Sequence, residues 1–181
     1  MIIQYSIDEN DYLTHQLFVA SKSERTRKKR QRSKVLVPII YGFLGLLFFF
    51  EDNFSLAIGF FTTGLLWYFI YPAWERRRYV NHYRAFIKEN HKDKNGKTGT
   101  LELSNDFLLA KDNGSEAKIM TIELEEICEI PTTIFLRLKG GQSFILPKDK
   151  IFNMENVKNR LMELSTYLNI EYNIDENWKW K

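Results

Sequence analysis

A chain of 181 residues, with 26 lysines and arginines against 23 aspartates and glutamates and a net charge of +3, has room for one small folded domain beyond any membrane segment. Its single cysteine excludes an internal disulfide and suits a reducing compartment. Glycine-rich phosphate loops, HExxH and paired-cysteine metal signatures are all missing, and His15, His82 and His91 lack the spacing of a shared metal site, so no catalytic, cofactor-binding or metal-ligating residues are nominated.

In chain order, residues 2–7 read as a short strand. Asp8 is placed to cap a helix carrying the apolar stripe Tyr12, Leu13, Leu17 and Phe18. Residues 21–34 then hold eight basic side chains against one glutamate. They run straight into two apolar stretches, 35–50 and 54–70, broken only by Glu51-Asp52-Asn53 and followed by Trp74-Glu75-Arg76-Arg77-Arg78. This pattern predicts a helical hairpin that enters a bilayer and returns to the side it came from. A hydrocarbon core of ~30 Å takes ~20 helical residues. The second stretch is long enough, especially with Tyr71–Trp74 reaching the interface; the first falls short, and snorkelling Lys and Arg with local thinning absorb the mismatch. Pro38 falls in the first turn of the first stretch, where its missing N–H costs little. Gly42, Gly45, Gly59 and Gly64 permit close helix approach, and Trp67, Tyr68, Tyr71 and Trp74 form an interfacial cluster at the exit.

Basic flanks around an acidic turn predict a multi-pass membrane protein with both termini in the cytoplasm. A buried hairpin in a soluble domain would have to carry FLGLLFFF and FFTTGLLWYFI with no polar face on either helix. Contact of the basic run with an apolar span favours a topological role, with anionic headgroups as partners, over a nucleic-acid patch.

Tyr79, Val80, Tyr83, Phe86 and Ile87 keep helical spacing, so the second span continues to about Asn90, and 92–97 reads as a linker. From Thr98 the period becomes two. Strands follow over 101–103, 107–111, 118–122 and 126–130, with Asp112-Asn113-Gly114-Ser115 a turn. A hairpin at 134–146, turning at Gly140-Gly141, sets Leu136 opposite Ile145 and Phe135 opposite Leu146, and Pro147 ends its strand. Met154, Val157, Leu161, Leu164 and Leu168 mark a closing amphipathic helix, about 153–168. The strand at 2–7 needs an edge of this meander to satisfy its backbone, which makes the hairpin an insertion within one fold.

The expected fold is therefore an α+β membrane protein: a transmembrane helical hairpin joined to a small antiparallel, pleckstrin-homology-like β-barrel or meander closed by a C-terminal amphipathic helix. Its parts are 1–34, strand and basic helix; 35–72, hairpin; 73–96, juxtamembrane helix and linker; 97–170, cytoplasmic domain; and 171–181, tail. The segment Phe144-Ile145-Leu146-Pro147-Lys148 running into Ile151-Phe152, and the order of elements along nearly the whole chain, resemble the bacterial YcxB-like family. The resemblance implies a membrane-anchored protein and carries no activity or site residues.

The function this favours is a non-enzymatic interaction or regulatory module with an unidentified protein partner, possible self-association, and no cofactor. A membrane-resident immunity protein against a toxin acting at the inner membrane is the alternative. Lipid-headgroup sensing by the barrel is disfavoured by its acidic first loop, Ser104-Asn105-Asp106. Enzyme chemistry is disfavoured because Glu123, Glu125, Glu126 and Glu129, the only dense carboxylates, read as a solvated strand edge. Cys128 reads as a buried apolar position rather than a nucleophile. Trp178 and Trp180 in the tail read as packed or interfacial, with partner contact the lesser reading.

Overall fold

A computed structural model of the chain describes residues 1–90, 96–112 and 114–180. Most of the expected linker at 92–97 lies outside the described residues, as do His91 and Asn113. The chain divides into two compact units, Met1–His15 with Phe86–Lys179 and Gln16–Ala85 with Trp180–Lys181.

In the first unit, β1 (Ile2–Ser6) pairs antiparallel with β2 (Thr98–Leu103), as backbone satisfaction requires. β3 (Phe107–Asp112) and β4 (Ser115–Met120) extend this sheet in the order β1-β2-β3-β4. A second sheet has the order β7-β6-β5-β8, from β5 (Leu124–Glu129), β6 (Thr133–Leu138), β7 (Ser143–Pro147) and β8 (Glu171–Ile174). The expected closed barrel is thus corrected to two four-stranded sheets. Between β4 and β5 the chain leaves the ladder through a 3-10 turn, Thr121–Glu123, tied down by Thr121 Oγ1 donating to the Asn105 carbonyl at 2.6 Å.

Two further expectations are corrected. The hairpin slips by one residue, so Leu136 faces Phe144 and Phe135 faces Ile145. Three residues, Lys139-Gly140-Gly141, make its loop, and Gly141 takes the left-handed conformation (φ 81°) that such a loop needs at its last position. The tail also forms a strand: β8 pairs parallel with β5, setting Tyr172 beside Ile127 and Ile174 beside Glu129. Pro147 is accommodated because β7 is an edge strand.

α4 (Met154–Leu168) follows Asn153, whose left-handed backbone (φ 58°) turns the chain into the helix. Its three- and four-residue spacing puts Val157, Leu161 and Leu164 fully inside a core that also takes Leu101 and Leu108 from one sheet and Leu136 and Leu146 from the other.

α1 (Glu9–Lys22) is followed by α2 (Glu24–Phe50) and α3 (Phe54–Asn90). Ser23 starts α2 by accepting from the Thr26 amide, so the basic run and the first apolar stretch form one continuous helix. This relocates Pro38: it sits inside α2, not in a first turn, and leaves the Lys34 carbonyl without its usual helical donor. In the turn, Asp52 is left-handed (φ 57°) and the Asn53 amide donates to the Phe48 carbonyl at 2.9 Å. Phe48 stacks on Phe60 with ring centroids 5.4 Å apart. Of the four glycines, two meet the facing helix. A Cβ on Gly45 would come within 2.8 Å of the Phe61 ring, and one on Gly64 within 3.2 Å of Tyr41 Cβ; Gly42 and Gly59 face open space. α2 and α3 are each long and apolar enough to cross a membrane by length and composition.

Because Leu161 and Leu164 are both fully buried, truncating each to Ala should cost ~2–5 kcal/mol. A small domain has only ~5–15 kcal/mol in total. The double variant should therefore lose the cooperative unfolding transition of the sheets, measured by near-ultraviolet circular dichroism, while α2 and α3 keep their helical signal.

Candidate functional site

The first chemically distinctive region is the polar collar of the helical unit. The antiparallel run of α2 and α3 brings Arg30 to Glu75, with Nε donating to Oε2 at 2.9 Å, and the Tyr71 hydroxyl donates to Oε1 at 3.0 Å. Glu75 is only 4% exposed, so this carboxylate has exchanged water for two protein donors. Arg30 also lies 4.6 Å from the ring centroid of Trp180, which packs 5.5 Å from the Tyr79 ring. Lys34 sits over Tyr68 at 4.2 Å, and Arg78 over Trp74 at 5.1 Å. Trp180 is buried and Trp178 half-buried. Arg25, Arg27, Lys28, Lys29 and Arg32 on α2 are exposed, as are Arg76, Arg77 and Arg78 on α3.

The second region centres on Glu129. Reading the acidic run 123–129 as a solvated edge fits Glu123 and Glu125, which are exposed, but fails at Glu129, which is 4% exposed. Lys148 and Lys158 each place Nζ 2.6 Å from its Oε1, and the Tyr172 hydroxyl donates to Oε2 at 2.7 Å. Burial pushes this carboxyl up, but the donors from Lys148, Lys158 and Tyr172 outweigh it and hold Glu129 below its ordinary value. Burial, then Glu129 itself, pushes the Tyr172 phenol up. A carboxylate so fully occupied cannot serve as a base. It joins β5, the turn after β7, α4 and β8. The available sequence signal was an acid set among Ile127, Cys128 and Ile130, with lysines two strands and one helix away.

A third cluster shows why α1 begins where it does. Asp8 Oδ1 accepts the amides of Asn10 and Asp11, and Asp11 Oδ2 accepts the Asp8 amide at 2.8 Å, a reciprocal cap. Lys150 then bonds both carboxylates at 2.5 Å. Burial pushes both acids up. At Asp8 the Lys150 and backbone donors prevail and its value falls; at Asp11 burial prevails and its value rises.

The remaining sequence candidates stay apart. Cys128 is buried at 6% exposure. His15 lies 5.4 Å from the Phe135 ring, where burial lowers its pKa, and His82 neighbours Tyr83. Among the described residues no group of three or more His, Cys, Asp or Glu is arranged to hold a metal. Comparison with protein-family models, curated proteins and solved structures finds no match for this chain.

Glu129→Gln should destabilise the sheet unit by ~1–3 kcal/mol at pH 7. Breaking a fully buried pair costs more, but Lys148 and Lys158 retain 19% and 27% exposure and recover some hydration. Because the folded carboxyl lies below its ordinary 4.5, its contribution is fully present above that pH and is lost as pH falls through the folded value. Urea unfolding of the two proteins should therefore differ most at neutral pH and converge in acid.

Proposed function

We propose that this chain is a non-enzymatic interaction or regulatory module anchored in the bacterial cytoplasmic membrane, with α2 and α3 as a transmembrane hairpin and both termini in the cytoplasm. The observation that carries this reading is apolar surface left uncovered. Only 6% of the apolar stretch of α2 and 17% of that of α3 is buried, and Ile39, Phe43, Leu65, Phe69 and Ile70 point outward. A helix pair in a water-soluble core would bury these side chains; exposed in water they would make an aggregation surface, whereas lipid is their natural solvent. Apart from the Lys34 and Tyr68 carbonyls facing Pro38 and Pro72, the helical backbones pair internally through these stretches, as a bilayer demands.

Orientation rests on charge. The outer ends carry the basic collar, and the turn carries Glu51 and Asp52 with no base. Anionic headgroups fit the exposed arginines and lysines of that collar. The succession of four strands, three strands and a covering helix supports a pleckstrin-homology-like reading of the soluble unit, and the element order supports membership of the YcxB-like family. The interaction role is favoured because the polar clusters described above are consumed by contacts within the protein.

A cysteine replacing Asn53 in a Cys128→Ser background should react with an impermeant maleimide in intact cells, while cysteines placed near either terminus react only after permeabilisation. Labelling of the terminal cysteines in intact cells would reject the topology, and labelling of none before or after detergent extraction would reject the exposed turn.

A further inference from the structure

The inward face of the β1–β4 sheet tapers. In the row furthest from the two strand ends that connect to the helices stand Leu103, Leu108 and Ile119; the next row holds Leu101, Ala110 and Ala117; the last sets Gly99 against Tyr5. A side chain at Gly99 is resisted, since a Cβ there would sit 3.1 Å from the Lys111 carbonyl oxygen. Loss of bulk along the face leaves a cavity of about 280 Å³ between Ala110 and Ala117 on one side and Ser143, Phe144 and Ile145 of β7 on the other. Tyr5, Ile7, Tyr12, Lys97, Lys111 and Asp112 also line this half-open pocket.

Three features define an occupant. First is size: a cavity of ~150 Å³ takes a benzene ring, so this one takes an apolar body of roughly ten heavy atoms, far less than a two-chain lipid. Second is polarity: Ala110, Ala117 and Ile145 set an apolar patch in a lining that also carries polar side chains, and Tyr5, packed against the core, has a hydroxyl with no hydrogen-bond partner among the described residues. Burial raises the Tyr5 phenol, so it remains a neutral donor. Third is charge. Lys97 makes no ion pair with a described residue, and Lys111 has only a loose 3.4 Å contact to Glu116, both side chains being more than half exposed. Asp112, the one acid among the described lining residues, already has interactions of its own. Among the described residues, the groups left without partners are therefore a hydroxyl donor and a cation.

We propose that this cavity binds a small free monocarboxylate with an aliphatic body, its chain against Ala110, Ala117 and Ile145 and its carboxylate on the Tyr5 hydroxyl and the Lys97 ammonium. Every lining residue belongs to the sheet unit, so the inference stands independently of the membrane reading.

The test uses the full chain in nanodiscs of zwitterionic lipid with ¹³C-labelled alanine methyls, and octanoate, octanol and octylamine as probes. Six alanines occur in the chain, of which Ala110 and Ala117 line the cavity, while Ala20, Ala57, Ala73 and Ala85 report nonspecific partition into the bilayer. Octanoate should shift Ala110 and Ala117 saturably and leave the other four unmoved, with octanol and octylamine at least ~10-fold weaker, as a charge-assisted hydrogen bond is worth about that factor. Tyr5→Phe and Lys97→Gln should each weaken octanoate ~10-fold and leave octanol unchanged. Ala110→Leu should abolish binding while the Ala117 methyl stays dispersed, showing that the fold survives. Absence of saturable shifts, linear drift of all six methyls together, or equal affinity for acid, alcohol and amine would each overturn the proposal.

Discussion

Pairing of β1 with β2 closes a loop of about ninety residues, for which a flexible chain would lose roughly (3/2)RT ln 90, ~4 kcal/mol. That cost is met locally. Five residue pairs align from Ile2–Glu102 to Ser6–Thr98, and Ile3 and Leu101 bury side by side. Met1 donates its terminal amine to the Leu103 carbonyl at 3.0 Å, and the Gly96 amide donates to Ile7 at 2.9 Å. Folding the insertion into long helices lowers the cost further, because a hairpin returns its two ends to one place. Without this seam β2 is a raw edge.

Charge then fixes what apolar packing leaves loose. Hydrophobic contact between two sheets and a helix is tolerant of small shifts, whereas a carboxylate taken out of water tolerates only full satisfaction. Glu129 meets that demand with two lysines and a tyrosine drawn from three different elements, so its hydrogen bonds hold only when α4 and β8 are in register with β5. Lys150 does the same for the start of α1 by bridging the capping pair Asp8 and Asp11. Lys150 lowers both acids, yet burial prevails at Asp11 and raises it, while the donors prevail at Asp8 and lower it.

Helices and apolar stripes were legible because their periods are long and redundant: the α4 stripe and the continuation of α3 to Asn90 follow from spacing alone. Register was not. Gly140-Gly141 fits a two-residue turn as well as a three-residue one, and only the left-handed backbone at Gly141 chooses between them. Four residues, Glu-Tyr-Asn-Ile, carry too little pattern to announce β8, whose place depends on the open side of β5. Pro38 was misplaced because polarity was taken for the helix boundary, while the boundary is set by the Ser23 cap fourteen residues or more upstream of the apolar centre. Glu129 was hidden because a charged residue in an acidic run looks solvated until its partners arrive from 19 and 29 residues away. The cavity was likewise invisible, since it is made by what Gly99, Ala110 and Ala117 lack.

These polar groups show where function can reside. Glu75, Glu129 and the Asp8–Asp11 pair are each engaged by protein donors, and an engaged carboxylate offers a ligand nothing it does not already have. Besides the exposed basic collar, two features stay open among the described residues. One is the apolar exterior of α2 and α3, which the protein itself leaves largely uncovered. The other is the gap between the edge strands β1 and β7, where the Tyr5 hydroxyl and the Lys97 ammonium have no partner among the described residues. Filling that gap adds contacts to both sheets at once, so an occupant that binds only the folded form stabilises it by mass action and links its own concentration to the seam between β1 and β2.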